Sequence, residues 1–487
     1  MIINDQTSIT VNTELARFTR DSKILYVAPD SGSWMVLEGK ELDTFKKLTK
    51  PITAGNFLGE HYSSNPGAGR DFIKRLYAND LIRLNGRSRY DPSKLWEPPQ
   101  RYPSFLCLHI TEACNLRCSY CYAKAHDKKN KMPLETAKLI LERIIRELPG
   151  PNFVIDFHGG EPLLEFDNIV ASIKHARKVN EEVKKCLSFI TQTNGVLITR
   201  EMALTMKEIG LRPGISIDGP PEVHNKYRKY PNGKGSHKEV WRGIELVRDV
   251  GITPGVLAVV HHPEDYVPVL KFFLDNGFEG MRINFTSYIG RAQEEMDFHY
   301  VRGENFARNY LKLVDEALAW CRKYDKPLRI NDLDHFIHNL TNKTRLMMCY
   351  RSPCGIGNSI LGFALDGKIS GCEETASMGL FFAGSIFDST PLTDVVDKSP
   401  VLQELYQRKV ENIPRCSRCA FRRFHGAGCT SKVYSMYKDL FRESPMCRFY
   451  QVVMEELMWK IHDNPDMVKY LGYRPPSVPQ TTKPPEK

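Results

Sequence analysis

Short apolar runs alternate with amphipathic segments through the middle of the chain. The runs predict six strands, at residues 105–110, 153–157, 187–191, 214–217, 255–260 and 281–285. Between the first two strands, one face of a helix is apolar, with Leu134, Ala137, Leu141, Ile144 and Ile145. Strands that alternate with helices form a parallel sheet, with functional residues at the carboxyl ends of the strands. The pattern therefore predicts an α/β core.

The chain before this core predicts a separate small unit. Apolar strands at residues 24–27 and 33–37 precede helical patterns near residues 42–48 and 71–77, an order that indicates an α+β or winged-helix-like domain. A proline-rich stretch, residues 92–103, separates this unit from the core.

The chain after the core is mostly helical at first. Residues 301–324 have a long amphipathic pattern, and a further helix is expected from Cys447 to about residue 462. The tail from Pro475 is rich in Pro, Lys and Thr, a composition typical of disorder.

Composition and charge narrow the class of protein. The chain has 487 residues, 41% hydrophobic and 26% charged, which indicates a globular protein of several domains. The net charge is +10, but Lys and Arg are scattered, so we expect no nucleic-acid partner and at most mild steering of an anionic substrate. No apolar run is long enough to span a membrane, and the first residues lack the layout of a signal peptide. We therefore expect a cytoplasmic protein without membrane partners.

Three of the 13 cysteines follow the first core strand with the spacing C-x3-C-x2-C, at Cys114, Cys118 and Cys121. Without an export signal, a disulfide framework is not expected. Three thiolates on one loop suit an iron–sulfur cluster that keeps one iron free of a protein ligand. The alternative is a zinc knuckle or structural thiols, although zinc prefers four ligands in paired C-x2-C arrangements.

This spacing, with the aromatic Tyr120 before the third cysteine, resembles the signature of the radical SAM superfamily. The resemblance implies a 4Fe–4S cluster whose open iron binds the amino and carboxylate groups of S-adenosylmethionine (SAM). It extends over His158-Gly-Gly-Glu-Pro162, Thr193-Asn-Gly195, Ser216-Ile-Asp-Gly-Pro220 and the His224-x3-Arg228 pattern. The residues it implies for SAM binding are Tyr120, Gly159, Gly160, Glu161, Asn194, Ser216 and Arg228. Asp218 is interpreted as a residue that shapes the Asp-Gly-Pro turn.

The later cysteines resemble the SPASM extension of radical SAM enzymes that modify peptides and proteins. The resemblance implies two auxiliary 4Fe–4S clusters, one held by Cys349, Cys354, Cys372 and Cys429, the other by Cys416, Cys419, His425 and Cys447. His425 stands where the family pattern has a cysteine. Imidazole ligation would raise the reduction potential of the second cluster. The alternative is that this cluster is incomplete and that His425 is a polar surface residue.

Glu373, directly after Cys372, stands where related sulfatase-maturing enzymes carry an aspartate that acts as a base. A carboxylate beside a cluster can accept a proton from the substrate. An exposed glutamate paired with a lysine is the alternative interpretation.

The resemblance implies a partial (β/α)6 radical SAM barrel between a small N-terminal α+β domain and a C-terminal cysteine-rich SPASM domain. The expected divisions are residues 1–98, 99–310, 311–345 (a helical bridge), 346–460 and 461–487. The N-terminal domain weakly resembles units that bind a leader peptide by adding it to a sheet edge.

The expected activity is hydrogen abstraction from a ribosomally made peptide by a 5′-deoxyadenosyl radical, followed by C–C or C–S bond formation or a related oxidation. An external electron donor and an accessory protein are expected partners. Three alternatives remain: a sulfatase-type maturase that oxidises a Cys or Ser, a small-molecule radical SAM dehydrogenase, and a zinc-stabilised binding protein.

Overall fold

The N-terminal unit contains two small antiparallel sheets in the computed structural model, which describes residues 3–91, 101–125, 129–296 and 303–474. Its strands are β1 (Ser8–Val11), β2 (Ala16–Arg20), β3 (Lys23–Ala28), β4 (Ser33–Leu37), β5 (Ile52–Thr53) and β6 (Ile82–Leu84). The sheet orders are β5-β1-β6 and β2-β3-β4. Its helices are Gly39–Lys47, Ala54–His61 and Pro66–Ala78. The unit is thus α+β, as the sequence predicts, and its strands form two separate sheets.

A ten-stranded sheet forms the core. Its strands are β7 (Phe105–Thr111), β8 (Asn152–Gly159), β9 (Cys186–Thr193), β10 (Leu211–Ser216), β11 (Gly255–Val260), β12 (Gly280–Phe285), β13 (Arg329–Ile330), β14 (Ile360–Phe363), β15 (Lys368–Ser370) and β16 (Phe382–Ser385). The order is β13-β12-β11-β10-β9-β8-β7-β14-β15-β16. From β13 to β14 every neighbouring pair is parallel, whereas β14, β15 and β16 pair antiparallel.

The six predicted core strands are β7 to β12, and the sheet continues beyond them on both sides. On one side β13 adds a short parallel strand. On the other, β14 pairs with β7, placing Ile360 opposite Phe105. The region that the sequence assigned to a separate cysteine-rich domain therefore extends the barrel sheet.

Helices connect and cover these strands. Those of the core are Leu134–Glu147, Phe166–Val183, Arg200–Glu208, Pro221–Tyr227, His237–Asp249, Tyr266–Asp275 and Ala292–Glu295. Those that follow are Gly303–Tyr324, Asn331–Thr341, Glu373–Ser377, Leu392–Lys398, Pro400–Tyr406, Arg422–His425, Thr430–Tyr437, Cys447–Asp463 and Asp466–Leu471. Short 3-10 helices lie at Pro162–Glu165, Pro263–Asp265, Met348–Tyr350 and Val410–Asn412. In the core helix Leu134–Glu147, the residues of the predicted apolar face are buried, except Leu134, which is half-buried.

The main hydrophobic core spans units that the sequence separates. Leu25, Val27 and Val36 of the N-terminal sheet belong to the same buried cluster as the barrel and the helix Cys447–Asp463. A second cluster, which includes Ile9 and Phe57, lies within the N-terminal unit. The β2-β3-β4 sheet is therefore packed onto the rest of the protein.

Two sequence predictions fall on residues outside these ranges: most of the proline-rich stretch, at residues 92–100, and the tail from residue 475. The helix predicted from residue 301 is described from Gly303 onward. In the described ranges, the search for a helix with the length and apolar character to cross a membrane finds none.

Candidate functional site

The cysteine triad occupies the loop after β7, and the end of β8 supports this loop. Gly160 N donates to Thr111 O at 2.7 Å, and Glu161 N donates to Ala113 O at 2.8 Å. A Cβ on Gly159 would lie 2.2 Å from Thr111 O, and one on Gly160 would lie 2.1 Å from Ala113 O. The two glycines are therefore needed because the cysteine loop lies directly against their backbone.

The Glu161 carboxylate ties the ends of β8 and β9 together. It is fully buried and accepts hydrogen bonds from Leu163 N at 3.0 Å, Thr193 Oγ1 at 2.6 Å and Asn194 N at 2.7 Å. Burial raises the pKa of Glu161, although these three donors oppose the shift. Its carboxylate therefore holds neighbouring chain segments in place.

Asn194 connects the end of β9 to the cysteine loop. Its Nδ2 donates to Asn115 Oδ1 at 2.7 Å and lies 3.9 Å from Cys114 Sγ, while its Oδ1 accepts from Val196 N at 3.0 Å. Ser216, at the end of β10, accepts at Oγ from Gln192 Nε2 at 2.9 Å. Both residues lie at the carboxyl ends of neighbouring parallel strands, as the sequence predicts.

Tyr120 bridges two buried charged groups. Arg228 Nη1 donates to Tyr120 Oη at 2.6 Å, and Tyr120 Oη donates to Asp218 Oδ2 at 2.7 Å. Arg228 is only 7% exposed, and its Nε has no hydrogen-bond partner among the described residues. The structure thus brings Tyr120 and Arg228, predicted from separate motifs, into one network.

Asp218 belongs to this network and does more than shape a turn. It is fully buried, and its Oδ1 accepts from Val259 N at 3.0 Å. Burial alone would raise the pKa of Asp218, but the neighbouring His261 and Arg228 outweigh it and lower the pKa to about 2. The turn interpretation missed this carboxylate because its partners come from distant segments.

The triad thiols are chemically suited to iron. Burial raises the pKa of Cys114 to about 12 and that of Cys118 to about 11, so both are neutral thiols without a metal. A bound iron–sulfur cluster would supply the positive charge that favours thiolates there. In the described ranges, no three His, Cys, Asp or Glu side chains are arranged to hold a single metal ion.

A second group of cysteines lies where β14 and β15 meet the C-terminal helices. Cys349 is exposed at the surface, although desolvation by the surrounding protein and then the adjacent Cys354 raise its pKa to about 12. Burial and then Cys429 raise the pKa of Cys372. Thr430 Oγ1 lies 3.4 Å from Cys354 Sγ. The structure thus gathers Cys349, Cys354, Cys372 and Cys429, the four residues that the resemblance groups together.

Glu374 stands within this second group. Its Oε2 lies 3.2 Å from Cys429 Sγ and also accepts a hydrogen bond from Ser431 Oγ, and its Oε1 lies 3.6 Å from Lys432 Nζ. Burial opposes ionisation of Glu374, but the charge of Lys432 and the hydrogen bonds from Ser431, Cys429 and Lys432 together outweigh burial and lower the pKa of Glu374. Burial would lower the pKa of Lys432, but Glu374, Cys429 and other neighbouring groups together outweigh burial and raise it. Sequence spacing indicated neither residue.

The third group contains Cys416, Cys419 and Cys447. Burial, then Cys447 and Cys419, raise the pKa of Cys416 to about 12. His425 is 4% exposed, and its ring stacks on Tyr450 at 4.8 Å with a 7° angle between the planes. Neither ring nitrogen of His425 has a hydrogen-bond partner in another described residue. His425 is therefore a buried imidazole without a partner in the described residues, which is unlike a polar surface residue.

Glu373 faces the triad loop. Its Oε1 accepts from Tyr122 Oη at 2.7 Å and lies 3.8 Å from His158 Nε2. Burial and the adjacent Glu374 raise the pKa of Glu373, and burial lowers the pKa of His158 to about 4. Tyr122 directly follows the third triad cysteine, a position that could have marked it from sequence.

All 13 cysteines are free thiols in the structure. Ten of them fall into the three groups above. Of the other three, Cys107 and Cys321 are buried and Cys186 is exposed.

Known relatives share much of this chain. It is 28% identical over 347 residues to an uncharacterised protein of Archaeoglobus fulgidus, a match over 71% of this chain and 78% of that protein. It is 25% identical over 362 residues to the AdoMet-dependent heme synthase of Nitratidesulfovibrio vulgaris, covering 70% of this chain and 90% of that enzyme. A serine-type anaerobic sulfatase-maturating enzyme of Bacteroides thetaiotaomicron is 33% identical over 176 residues, 33% of this chain and 42% of that enzyme.

Two solved structures have the same fold. AdoMet-bound anSMEcpe superposes with a TM-score of 0.65 at 20% identity, covering 74% of this chain and 98% of that one. Streptococcus suis SuiB bound to precursor peptide SuiA superposes with a TM-score of 0.53 at 12% identity, covering 90% of this chain and all of that one.

The partial barrel and its motifs coincide with a family model. The Radical SAM superfamily model matches residues 108–274, which span β8 to β11, most of β7 and the triad loop. The fold class predicted for the core is confirmed, and SAM and a 4Fe–4S cluster are the cofactors of this domain. Residues 108–274 of this chain therefore form a Radical SAM domain.

Proposed function

We propose that this radical SAM enzyme modifies a peptide or protein, most specifically a ribosomally made peptide. The observation that carries the proposal is the unit before the barrel, which is packed onto the cysteine-rich region and lies outside the residues that the family model matches. The solved structure of SuiB bound to its precursor peptide SuiA matches the fold of this chain over 90% of its length. The proposed product is a C–C or C–S linked or otherwise oxidised peptide.

In this proposal, Cys114, Cys118 and Cys121 hold the cluster at which SAM binds. Gly159 and Gly160 keep the loop close to β8, Glu161 and Asn194 fix its conformation, and Ser216, Arg228 and Tyr120 line the expected SAM position. Together SAM and the cluster supply a radical that removes a hydrogen atom from an unactivated carbon.

Glu373 is the proposed proton acceptor. It stands between the triad loop, through Tyr122, and Cys372 of the second group. A base must lie within hydrogen-bond reach of the proton that it takes, and Glu373 faces the barrel side where a substrate next to SAM would lie. Glu373→Gln should abolish product while 5′-deoxyadenosine still forms; equal loss of both would contradict a base at this position.

Two auxiliary clusters complete the proposal. Cys349, Cys354, Cys372 and Cys429 would hold the first, and Cys416, Cys419, His425 and Cys447 the second. Iron and sulfide per chain should fall by about one cluster when the triad is changed to Ala. If the triad variant lost nearly all its iron, the C-terminal cysteines would bind no cluster.

The His425 ligand has its own test. A nitrogen ligand should be visible as a hyperfine coupling in pulsed EPR of the reduced protein, and His425→Ala should remove it. His237→Ala is the matched control, because His237 is another largely buried histidine, at the start of a barrel helix. A spectrum of purely cysteine-ligated iron, unchanged in His425→Ala, would contradict ligation.

The substrate class is tested by supplying alternatives to one reconstituted preparation. The arms are ribosomal precursor peptides, a Cys- or Ser-containing sulfatase peptide, iron porphyrins and small alcohols. The proposal expects 5′-deoxyadenosine above the uncoupled rate, and a peptide mass lowered by two hydrogens, with a precursor peptide. The sulfatase peptide is the second candidate, because a sulfatase-maturating enzyme shares 33% identity over part of this chain. Turnover restricted to alcohols or porphyrins would overturn the peptide proposal.

Three partners belong to the same proposal: a leader peptide at an edge of the N-terminal sheets, an external one-electron donor and an accessory protein. Pairing of a leader with an outer strand would use backbone hydrogen bonds. Strands β2 and β4 are the outer strands of the sheet that is packed on the C-terminal region.

A further inference from the structure

A lysine and a glutamate form an ion pair beside the second group of cysteines. Lys432 lies in the helix Thr430–Tyr437, one turn beyond Cys429, and its Nζ is 3.6 Å from Glu374 Oε1. The other carboxylate oxygen is 3.2 Å from Cys429 Sγ. The order in space is therefore lysine, carboxylate, thiol.

Other contacts fix the carboxylate of this pair. Ser431 Oγ donates to Glu374 Oε2, the same oxygen that lies nearest to Cys429. Glu374 lies in the first turn of the helix Glu373–Ser377, which begins directly after Cys372. The pair is thus tied to two of the four cysteines by sequence and by direct contact.

Lys432 is also positioned toward the barrel. It and Cys429 line a pocket at the end of β12, together with Phe285, Met446 and Tyr450. Both side chains of the ion pair are largely withdrawn from solvent, with 33% of Lys432 and 20% of Glu374 exposed. Charges in such a position are screened by salt much less than surface charges.

We propose that Lys432 and Glu374 set the reduction potential of the first auxiliary cluster in opposite directions. The inference rests on the proposed function, because it requires Cys349, Cys354, Cys372 and Cys429 to hold that cluster. One-electron reduction makes a thiolate-bound cluster more negative, and nearby charge shifts its potential accordingly. The ammonium of Lys432 favours the reduced form, and the carboxylate of Glu374 disfavours it.

This arrangement suits a cluster that takes up an electron near the substrate. Lys432 keeps the Glu374 charge compensated, so the cluster remains a competent acceptor despite a carboxylate in contact with Cys429. No proton transfer is required, since the pair acts through its charge alone.

The test is a mediator redox titration of the full-length reconstituted protein, followed by EPR of the auxiliary clusters. At a fixed potential, Lys432→Met should raise the ratio of oxidised to reduced first auxiliary cluster tenfold or more. For a one-electron couple, a tenfold change corresponds to a shift of the midpoint potential by about 59 mV to more negative values. Glu374→Gln should shift the midpoint the other way, and Lys432→Arg should stay near wild type.

Lys438→Met is the matched control, because Lys438 is an exposed lysine at the end of the same helix. The inference is overturned if Lys432→Met keeps its iron and its wild-type midpoint. If Lys432→Met loses iron, the Glu374→Gln midpoint decides: a shift to more positive values supports the inference, and no shift overturns it.

Failure of the proposed function gives a different result. Changing Cys349, Cys354, Cys372 and Cys429 to Ala would then leave the iron content of the protein unchanged. In that case no first auxiliary cluster exists whose potential Lys432 could set.

Discussion

Gly160 shows how a single hydrogen in place of a methyl group can decide whether a cofactor loop fits. Its φ is not in the left-handed region, so the constraint is the 2.1 Å that would separate a Cβ from Ala113 O. Gly160→Ala should push the cysteine loop away from β8 and reduce iron in the triad cluster, while the C-terminal iron stays. Iron per chain and 5′-deoxyadenosine formation measure both effects.

Gly59→Ala is the control for that substitution. Gly59 lies in the helix Ala54–His61, and a methyl group on its Cα would have no neighbour within 4 Å among the described residues. Alanine there should be neutral or stabilise by up to about 1 kcal/mol, since alanine has the better helix propensity. Equal iron in the two variants would show that the cysteine loop tolerates displacement.

The hydroxyl of Tyr120 lies between a buried guanidinium and a buried carboxylate, so we expect its removal to affect stability. Tyr120→Phe should leave Arg228 Nη1 and Asp218 Oδ2 each without this partner, and lower the free energy of unfolding by about 1–3 kcal/mol. It should also weaken SAM binding, measured by equilibrium dialysis.

The comparison variant is Tyr324→Phe, in a tyrosine that is 49% exposed. Its unfolding midpoint should match the wild type. If Tyr120→Phe unfolded at the same temperature as the wild type and Tyr324→Phe, the Tyr120 hydroxyl would not be needed to stabilise Arg228 and Asp218 in their buried positions.

At the scale of elements, the sequence predicts β7 to β12 well, because parallel strands buried on both faces are continuous apolar runs. It misses that β14 joins β7, since the pairing of Ile360 with Phe105 joins segments far apart in the chain and leaves no local pattern. It also misses β13, whose two residues are too few for a periodic signal.

The candidate site follows the same division. The cysteines and glycines are predictable because cluster ligation and close backbone contact restrict residue type and spacing. The Tyr120–Asp218–Arg228 network and the Lys432–Glu374 pair are not, since each depends on side chains that only the folded sheet brings together.

One connecting element carries a pH-dependent contact. Lys343, just after the helix Asn331–Thr341, donates through Nζ to Ser31 O at 3.0 Å and to Gly32 O at 2.9 Å in the turn between β3 and β4. Burial, and then the positive Arg345, lower the pKa of Lys343 from 10.5 to about 7. The ammonium group of Lys343 therefore loses its proton at a lower pH in the folded protein than in the unfolded chain.

The sign of the effect follows from proton binding. Between about pH 7 and pH 10.5 the unfolded chain binds more protons at Lys343 than the folded protein does, so stability rises with pH there. The wild-type unfolding midpoint, relative to that of Lys343→Met, should increase from about pH 7 to about pH 9. A constant difference between the two proteins would contradict a depressed lysine pKa.

At the scale of the whole molecule, the N-terminal unit and the third group of cysteines meet directly. The ring of Phe18 in β2 stacks on Phe421 at 5.3 Å. Phe421 N donates to Cys419 Sγ at 3.4 Å, and the next residue, Arg422, pairs with Asp30 at 2.7 Å. The loop that carries Cys419 is therefore supported by the β2-β3-β4 sheet, so a unit proposed to bind a leader peptide is in contact with a proposed cluster site.

This contact predicts that a change in the N-terminal unit alters iron at the far end of the sequence. Phe18→Ala removes the half-buried ring, a loss of about 1–2 kcal/mol of apolar contact, and should loosen the Cys419 loop. Iron in the second auxiliary cluster should fall, while the triad cluster and the first auxiliary cluster keep theirs. Phe387→Ala, at a phenylalanine that is 62% exposed, should leave all three unchanged. If Phe18→Ala kept full iron but lost turnover with a peptide substrate, the N-terminal unit would act on the substrate alone. If Phe18→Ala lost iron at the triad instead, the N-terminal sheet would support the barrel and not the Cys419 loop.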